Sequence, residues 1–168
     1  AEPHVGEVSL FKVVSGKVGN GAEVYNAPRG SIEKLNHLSV AQGKDRTEVL
    51  ELHAGDIGVV AKLKDTHTND TLSTQGTPTT LPKIPFPDPI TVLAVAVTKR
   101  GEEDKLSTGL QRLHDEDPTF HHEFNPELRQ TIISGRGERH LEVIVNRLER
   151  KYGVHAEIQR PLVAYRET

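Results

Sequence analysis

Short apolar runs separated by turn residues fill the first half of the chain. These runs lie at residues 8–14, 23–26, 32–38 and 57–63, the third being the least regular. Glycine, asparagine and proline, which favour turns, separate them at residues 19–21 and 28–30. Strands of this length and spacing, without an amphipathic helix, predict an all-β barrel or sandwich over residues 1–84.

The apolar period changes in the second half. Residues 90–97 are apolar on both faces, which indicates a central strand. Two apolar stripes at helical spacing follow. They consist of Leu106, Leu110 and Leu113, and of Leu141, Ile144, Val145, Leu148 and Tyr152. Strand patterns lie at residues 119–124, 130–134 and 156–165. This β-α-β-β-α-β order predicts an α+β ferredoxin-like sandwich over residues 90–168, with both helices on one face of a four-stranded sheet.

A proline-rich segment separates the two patterns. Four prolines lie between Leu81 and Pro89. Proline fixes φ and lacks a backbone donor, so this segment is neither a helix nor a central strand. We predict a stiff, extended connector at residues 85–89, between a domain at residues 1–84 and a domain at residues 90–168.

Composition limits the classes of protein that the chain can belong to. Only 4% of its residues are aromatic and its net charge is −3, so any core must consist mainly of Val, Ile and Leu. The absence of cysteine excludes disulfides and thiolate metal sites. No apolar run approaches the ~20 residues of a membrane span. We expect a soluble, cytoplasmic, monomeric chain with no membrane partner, and we interpret the start at Ala1 without methionine as trimming.

A glycine-rich loop opens the second predicted helix. The loop contains Gly135, Arg136, Gly137, Glu138 and Arg139. Free N–H groups at a helix N-terminus can bind an anion, and the two arginines would add positive charge. Glu138 would itself occupy the positive end of the helix. We therefore favour a tight strand-to-helix turn over a phosphate site.

Other candidate chemistry in the sequence is weak. The chain has no G-x-x-x-x-G-K-[ST] phosphate loop, and the glycines of residues 16–21 lack a following helix, so they predict a hairpin turn. His121 and His122 are adjacent on a predicted strand and should point to opposite faces, which argues against a shared metal. Phe120 and Phe124 are too few for an aromatic RNA-binding sheet. We predict no catalytic, cofactor-binding or metal-binding residue.

Several ordered motifs carry a resemblance to a known family. Residues 11–18, 53–58 and 69–72 resemble the motifs R-V-x-S-G-x-L, A-G-D-(I/L)-G and G-D-T-L. Residues 116–120 read E-D-P-T-F, residues 130–142 resemble Q-T-I-I-S-G-x-G-E-L-H-L-E, and residues 160–168 resemble P-x-V-A-Y-R-E-T. These motifs resemble bacterial elongation factor G over nearly the whole chain. The resemblance implies a translation-factor β-barrel, domain II without its first strand, followed by domain III.

The resemblance also implies a function. The chain would be a non-catalytic part of a GTPase whose G domain, with GTP and Mg²⁺, and whose domains IV and V lie outside it. Domain II would dock on small-subunit ribosomal RNA. Domain III would lie between the GTPase switches and the ribosome and couple GTP hydrolysis to the movement of tRNA and mRNA. The ribosomal partners of the full-length protein would be small-subunit ribosomal RNA and ribosomal protein. A ribosome-protection GTPase, a release-factor GTPase and a stand-alone ferredoxin-like ligand-binding module are the alternatives.

Candidate site residues follow from the same resemblance. Asp117, Thr119, His140 and Arg147 fall on positions that line the fusidic-acid pocket near the GTPase switch regions in the family. Arg136 and Arg139 stand where the family usually has an apolar or small residue and a leucine. These two arginines change the charge of the interface and indicate a divergent paralogue.

Overall fold

The chain divides into two compact units, at residues 1–84 and 85–168. The computed structural model describes residues 7–162. None of the helices in this described part is long and apolar enough to cross a membrane. Each unit has its own sheets and its own buried core.

Between residues 7 and 84 the chain forms short strands only. These are β1 (Val8–Lys12), β2 (Lys17–Gly19), β3 (Ala22–Asn26), β4 (Ser31–Leu35), β5 (Ser39–Gln42), β6 (Asp45–Glu48), β7 (Glu51–His53), β8 (Ile57–Ala61) and β9 (Leu72–Ser73). They pair antiparallel in three groups, in the orders β1-β8-β5-β6, β4-β3-β9 and β2-β7. The predicted all-β fold of this half is confirmed.

The hairpin predicted at residues 16–21 is wrong. β2 pairs with β7, whereas β3 pairs with β4 and β9. The turn at Asn20 and Gly21 therefore connects strands of different sheets, and Gly21 has the positive φ of 78° that such a turn uses. A true hairpin joins β5 to β6, with Gln42 opposite Asp45 in the register.

A small apolar cluster fills the first unit. Val13, Leu38 and Leu52 are buried at its centre, and partly buried side chains pack around them. Gly58 lies on β8 beside this cluster, where a Cβ atom would overlap Leu52 and Phe11. Glycine at this position allows the two side chains to reach the backbone of β8.

Three side chains of the β3–β4 hairpin hold the loop at residues 64–70. The buried carboxylate of Glu33 accepts a hydrogen bond from the backbone N–H of Asp65 at 2.7 Å. Asn26 Nδ2 donates to the backbone carbonyl of Asp65 at 3.1 Å and to Asp70 Oδ2 at 3.0 Å. Arg29 Nε donates to Asp70 Oδ2 at 2.7 Å. Buried polar groups are stable only with such partners, so this network fixes the loop to the hairpin.

The second unit has the predicted β-α-β-β-α-β order. Its elements are β10 (Thr91–Val97), α1 (Glu103–Glu116), β11 (His121–Asn125), β12 (Gln130–Gly135), α2 (Glu138–Tyr152) and β13 (Ala156–Gln159). The sheet order is β11-β12-β10-β13, and all three pairings are antiparallel. β10 is central, as its apolar sequence predicts. β13 ends at Gln159, earlier than predicted, and residues 163–165 of the predicted last strand lie outside the described residues.

One core cluster joins both helices to the same face of the sheet. It contains Leu106, Leu110, Leu113, Leu141, Ile144, Val145 and Leu148 from the helices, with Val95 and Ile133 from the central strands. Gly109 allows close contact between the helices, because a Cβ there would overlap Leu148. The ferredoxin-like α+β fold predicted for this half is confirmed.

Both helices end where the sequence predicts. α2 stops at Gly153, which has φ 66° and donates its N–H to the Glu149 carbonyl at 2.9 Å. α1 stops at Asp117, which is extended with φ −133° and ψ 95°. Pro118 favours this extended conformation in the residue before it. The backbone of Asp117 is therefore no longer helical, and its side chain lies at the C-terminal end of α1.

Candidate functional site

Three of the residues singled out by the family resemblance meet at the end of α1. His140 Nε2 lies 3.0 Å from Asp117 Oδ2. Asp117 Oδ1 accepts hydrogen bonds from the backbone N–H of Thr119 at 3.0 Å and from its Oγ1 at 2.6 Å. The side chains of His140 and Asp117 are 20% and 25% exposed, so the group borders solvent. We call Asp117, Thr119 and His140 the Asp117 cluster.

Local sequence explains the first half of this cluster. Asp117 and Thr119 form an Asx turn, in which a side-chain oxygen accepts the N–H two residues further along. Phe120 follows directly and is fully buried in the core of the second unit. The turn is therefore fixed between the end of α1 and a buried aromatic ring.

His140 reaches the cluster from the first turn of α2. Its Nδ1 accepts a hydrogen bond from the backbone N–H of Arg136 at 3.1 Å. A Cβ at Gly135 would lie 2.8 Å from His140 Nδ1 and 2.9 Å from Leu141 Cδ2, closer than side chains approach. Gly135 thus leaves the space that the imidazole occupies above the end of β12.

Hydrogen bonding keeps the Asp117 carboxyl charged. Its partial burial by itself would raise the pKa of Asp117. The hydrogen bonds from Thr119 and His140 outweigh this effect and lower the pKa below its usual value. The carboxylate is therefore ionised at neutral pH and acts only as an acceptor.

The other predicted residues lie outside the cluster. Arg147 is exposed on α2, seven residues after His140 and hence two turns away on the same flank. Arg139 is exposed over 93% of its side chain and pairs with Glu142 at 2.7 Å. The guanidinium of Arg136 donates to the backbone carbonyl of Asp88. The helix-start loop, with Gly137 at the N-cap and Glu138 in the first turn, forms a strand-to-helix turn.

A histidine group near the cluster was not predicted. His114 Nδ1 donates to the Phe120 carbonyl, and its ring centroid lies 5.2 Å from that of His121 and 6.2 Å from that of His122. Burial and the charge of His114 lower the pKa of His122. Among residues 7–162, no three His, Cys, Asp or Glu side chains are arranged to hold a metal ion. The short distance along the chain between the end of α1 at Glu116 and the start of β11 at His121, five residues, was the only sequence signal for this contact.

Comparison with known proteins decides the family. A family model described as elongation factor G domain 2 matches residues 1–75, and one described as elongation factor G, domain III matches residues 86–160. The chain belongs to the elongation factor G family. Its first unit is a domain II and its second a domain III of that family, as the sequence motifs predicted.

A solved structure is similar to this chain over both domains. The crystal structure of ttk003000868 from Thermus thermophilus matches 96% of this chain with a TM-score of 0.85 and 31% sequence identity. The match covers 24% of the Thermus chain, so this elongation factor G chain spans about a quarter of that relative's length. The Asp117 cluster lies in domain III, within the matched residues of the domain III model.

Proposed function

We propose that this chain is the ribosome-binding and coupling part of a translational GTPase of the elongation factor G type. The observation that carries the proposal is the succession of a domain II and a domain III of this family along one chain. GTP and Mg²⁺ would bind in a G domain encoded outside these residues. Domain II would contact small-subunit ribosomal RNA, and the full-length factor would also contact ribosomal protein, in the cytoplasm.

The Asp117 cluster fits a contact surface better than a catalytic centre. Its carboxylate already accepts hydrogen bonds from the imidazole and from Thr119. Between residues 7 and 162, the bonds of the His140 ring go to Asp117 and to the Arg136 N–H, and not to a hydroxyl or amine that could act as a nucleophile. We propose that Asp117, Thr119, His140 and Arg147 face the switch regions of the G domain, where they transmit the nucleotide state through polar contacts.

The test uses the full-length factor that contains this chain, together with the isolated chain. GTP hydrolysis is measured with and without ribosomes, and mRNA movement is followed by a fluorescent label on the message. We expect ribosome-stimulated hydrolysis and mRNA movement from the full-length factor, and no hydrolysis from the isolated chain. GTP turnover by the isolated chain, or a full-length factor indifferent to ribosomes, would overturn the proposal.

Variants of the full-length factor test the role of the cluster. Asp117→Ala and His140→Ala should slow mRNA movement about tenfold or more while nucleotide binding is unchanged, because the altered contacts lie outside the G domain. His155→Ala is the matched control, since the exposed His155 ring contacts only Glu149 among the ionisable side chains of residues 7–162, at 3.0 Å. If both variants translocate at the wild-type rate, the Asp117 cluster takes no part in translocation.

The same preparation distinguishes the related GTPases. A ribosome-protection factor would displace tetracycline from ribosomes without moving mRNA, and a release-factor GTPase would act on terminating ribosomes. Either result would keep the ribosomal assignment and reject translocation. A stand-alone ligand-binding module would instead show a thermal shift with a small metabolite and no ribosome dependence.

A further inference from the structure

Each ring nitrogen of His140 has one hydrogen-bond partner of fixed type. Nδ1 lies 3.1 Å from the backbone nitrogen of Arg136, which can only donate. Nε2 lies 3.0 Å from Asp117 Oδ2, and an ionised carboxylate can only accept. The neutral imidazole must therefore carry its proton on Nε2 and a lone pair on Nδ1.

The orientation of Asp117 is fixed from its other oxygen. Oδ1 accepts two hydrogen bonds from Thr119, one from the backbone and one from the hydroxyl. Oδ2 is consequently the oxygen that faces His140. Gly135 leaves room for the imidazole on the opposite side, where a Cβ would lie 2.8 Å from Nδ1.

The neighbouring charged side chains either bond to other groups or are exposed to solvent. At the end of α1, Glu116 forms an ion pair with Lys151 at 2.6 Å. In the first turn of α2, Glu138 is exposed, and Arg139 pairs with Glu142 at 2.7 Å. The Arg136 side chain reaches the Asp88 carbonyl. Asp117 is thus the charged side chain that acts, together with the backbone N–H of Arg136, on the tautomer of His140.

We propose that His140 is a positioning residue that couples the end of α1 to the helix-start loop through its tautomer. With Asp117 as an acceptor, His140 keeps a lone pair on Nδ1 and holds the Arg136 N–H. A partner cation, such as an ammonium or guanidinium, that draws the Asp117 carboxylate away from His140 removes the acceptor for Nε2–H. The imidazole then loses its orientation and releases the loop that carries Arg136 and Arg139.

This coupling would regulate the surface to which we assign the switch contact, and its biological role rests on that proposed function. The relay itself is a property of the second unit. It can therefore be tested on the purified 168-residue chain without ribosomes. A failure of the relay would leave the ribosome assays unaffected, and a failure of the ribosome assays would leave the tautomer unaffected.

The first experiment measures the tautomer directly. Long-range ¹H–¹⁵N correlation spectra of the ¹⁵N-labelled chain report which nitrogen of each neutral imidazole is protonated. We expect His140 to carry its proton on Nε2 at pH 7.5. A proton on Nδ1, or equal populations of the two tautomers, would overturn the proposal without any variant.

The second experiment reverses the hydrogen bond at Asp117. In Asp117→Asn, the two donors of Thr119 keep the amide oxygen on their side, so the amide NH₂ faces His140 Nε2. His140 should then move its proton to Nδ1, opposite the Arg136 N–H, as happens when an amide replaces a carboxylate that fixes an imidazole tautomer. Exchange of the Arg136 amide hydrogen should accelerate about tenfold, as expected for the loss of one hydrogen bond.

Two controls separate the relay from general destabilisation. Glu149→Gln removes the carboxylate beside His155 and should leave the His140 tautomer and Arg136 exchange unchanged. Amide exchange at Ile133, in the buried core, reports global opening of the unit in Asp117→Asn. Acceleration at Arg136 without a tautomer change at His140, or equal acceleration at Ile133, would count against the coupling.

Discussion

Gly135 shows at the residue scale how a position without a side chain determines the geometry of its neighbours. The imidazole of His140 occupies the space where a Cβ of residue 135 would lie. From the sequence, this glycine belonged to a turn at a helix start, and Asp117, Thr119 and His140 were connected only by family resemblance. Spacing alone could not bring them together, because 23 residues separate Asp117 from His140. The contact depends on tertiary packing of α2 against the end of α1.

We expect Gly135→Ala to destabilise the second unit by about 1–3 kcal/mol, the usual cost of forcing extra volume into a packed site. The hydrogen bond between His140 and Arg136 should be lost at the same time. Urea unfolding measures the free energy, and the Arg136 amide shift measures the contact. Gly137→Ala is the control, because a Cβ there meets no atom within 4 Å. Equal destabilisation by both substitutions would contradict the steric explanation.

His122 predicts a pH dependence of stability. Its pKa is lowered by burial and by the nearby charge of His114. A histidine whose pKa is lower in the folded state than in the unfolded state stabilises the fold above its unfolded pKa of ~6.5, and this contribution is lost as pH falls below that value. The urea midpoint of the second unit should therefore decrease from pH 7.5 to pH 5. His122→Gln should flatten this decrease, whereas His155→Gln should not.

At the scale of elements, the second unit was predictable because each helix shows its buried face as a stripe. Leu141, Ile144 and Leu148 recur at the helical period and are fully buried. The first unit was less predictable. β5 and β6 are short, and six of the eight residues in them are polar or charged in a mostly exposed hairpin, so apolar alternation gave no signal. β5 also pairs with the distant strand β8, and a local pattern does not contain that partner.

Leu148 should dominate the contact between the helices of the second unit. Its side chain is fully buried and lies against Gly109 of α1. Leu148→Ala should cost about 2–5 kcal/mol, because the methyl groups leave a cavity that the backbone cannot fill. Val143→Ala, on the face of α2 that is 46% exposed, should cost less than about 0.5 kcal/mol. Thermal and urea unfolding compare the two variants, and similar losses would refute this account of the core.

Glu33 makes the loop at residues 64–70 depend on the β3–β4 hairpin. Its carboxylate accepts hydrogen bonds from two backbone N–H groups and from the hydroxyl of Thr66 at 3.1 Å. Glu33→Gln leaves one oxygen and adds a buried donor beside these donors, which should cost about 1–3 kcal/mol. Amide exchange at residues 64 and 65 should accelerate. Glu23→Gln, on the exposed face of β3, should change neither the free energy of unfolding nor the exchange rate at residues 64 and 65. An unchanged exchange rate in Glu33→Gln would show that the Glu33 carboxylate does not hold the loop.

At the scale of the whole molecule, two units with separate cores belong to one family and occupy a quarter of a longer relative. Their order along the chain was read from motifs, and the fold of each was confirmed. The motifs identified the family because they combine turn glycines with residues such as Asp117 that no packing rule requires. The action on the ribosome that we propose would belong to the full-length factor.

Arg136 and Arg139 give a prediction for the full-length factor. Fusidic acid should bind near the Asp117 cluster and inhibit repeated GTP hydrolysis on ribosomes. Arg139→Leu, which restores the residue usual in the family, should increase sensitivity to the drug several-fold. Dose–response curves of ribosome-dependent hydrolysis measure the effect, with Arg150→Leu on the same helix as the control. Unchanged turnover at saturating drug in both the wild type and Arg139→Leu would reject a drug site here.

The carboxylate of Glu33 has one more consequence for domain II. Consecutive main-chain amides at Lys64 and Asp65 converge on it, in the manner of a concave anion receptor. Because the protein supplies its own anion, this receptor is closed to external phosphate. A nucleic-acid strand at this loop would therefore be bound through exposed ammonium groups such as that of Lys64. Such groups contact phosphate and carry little sequence information.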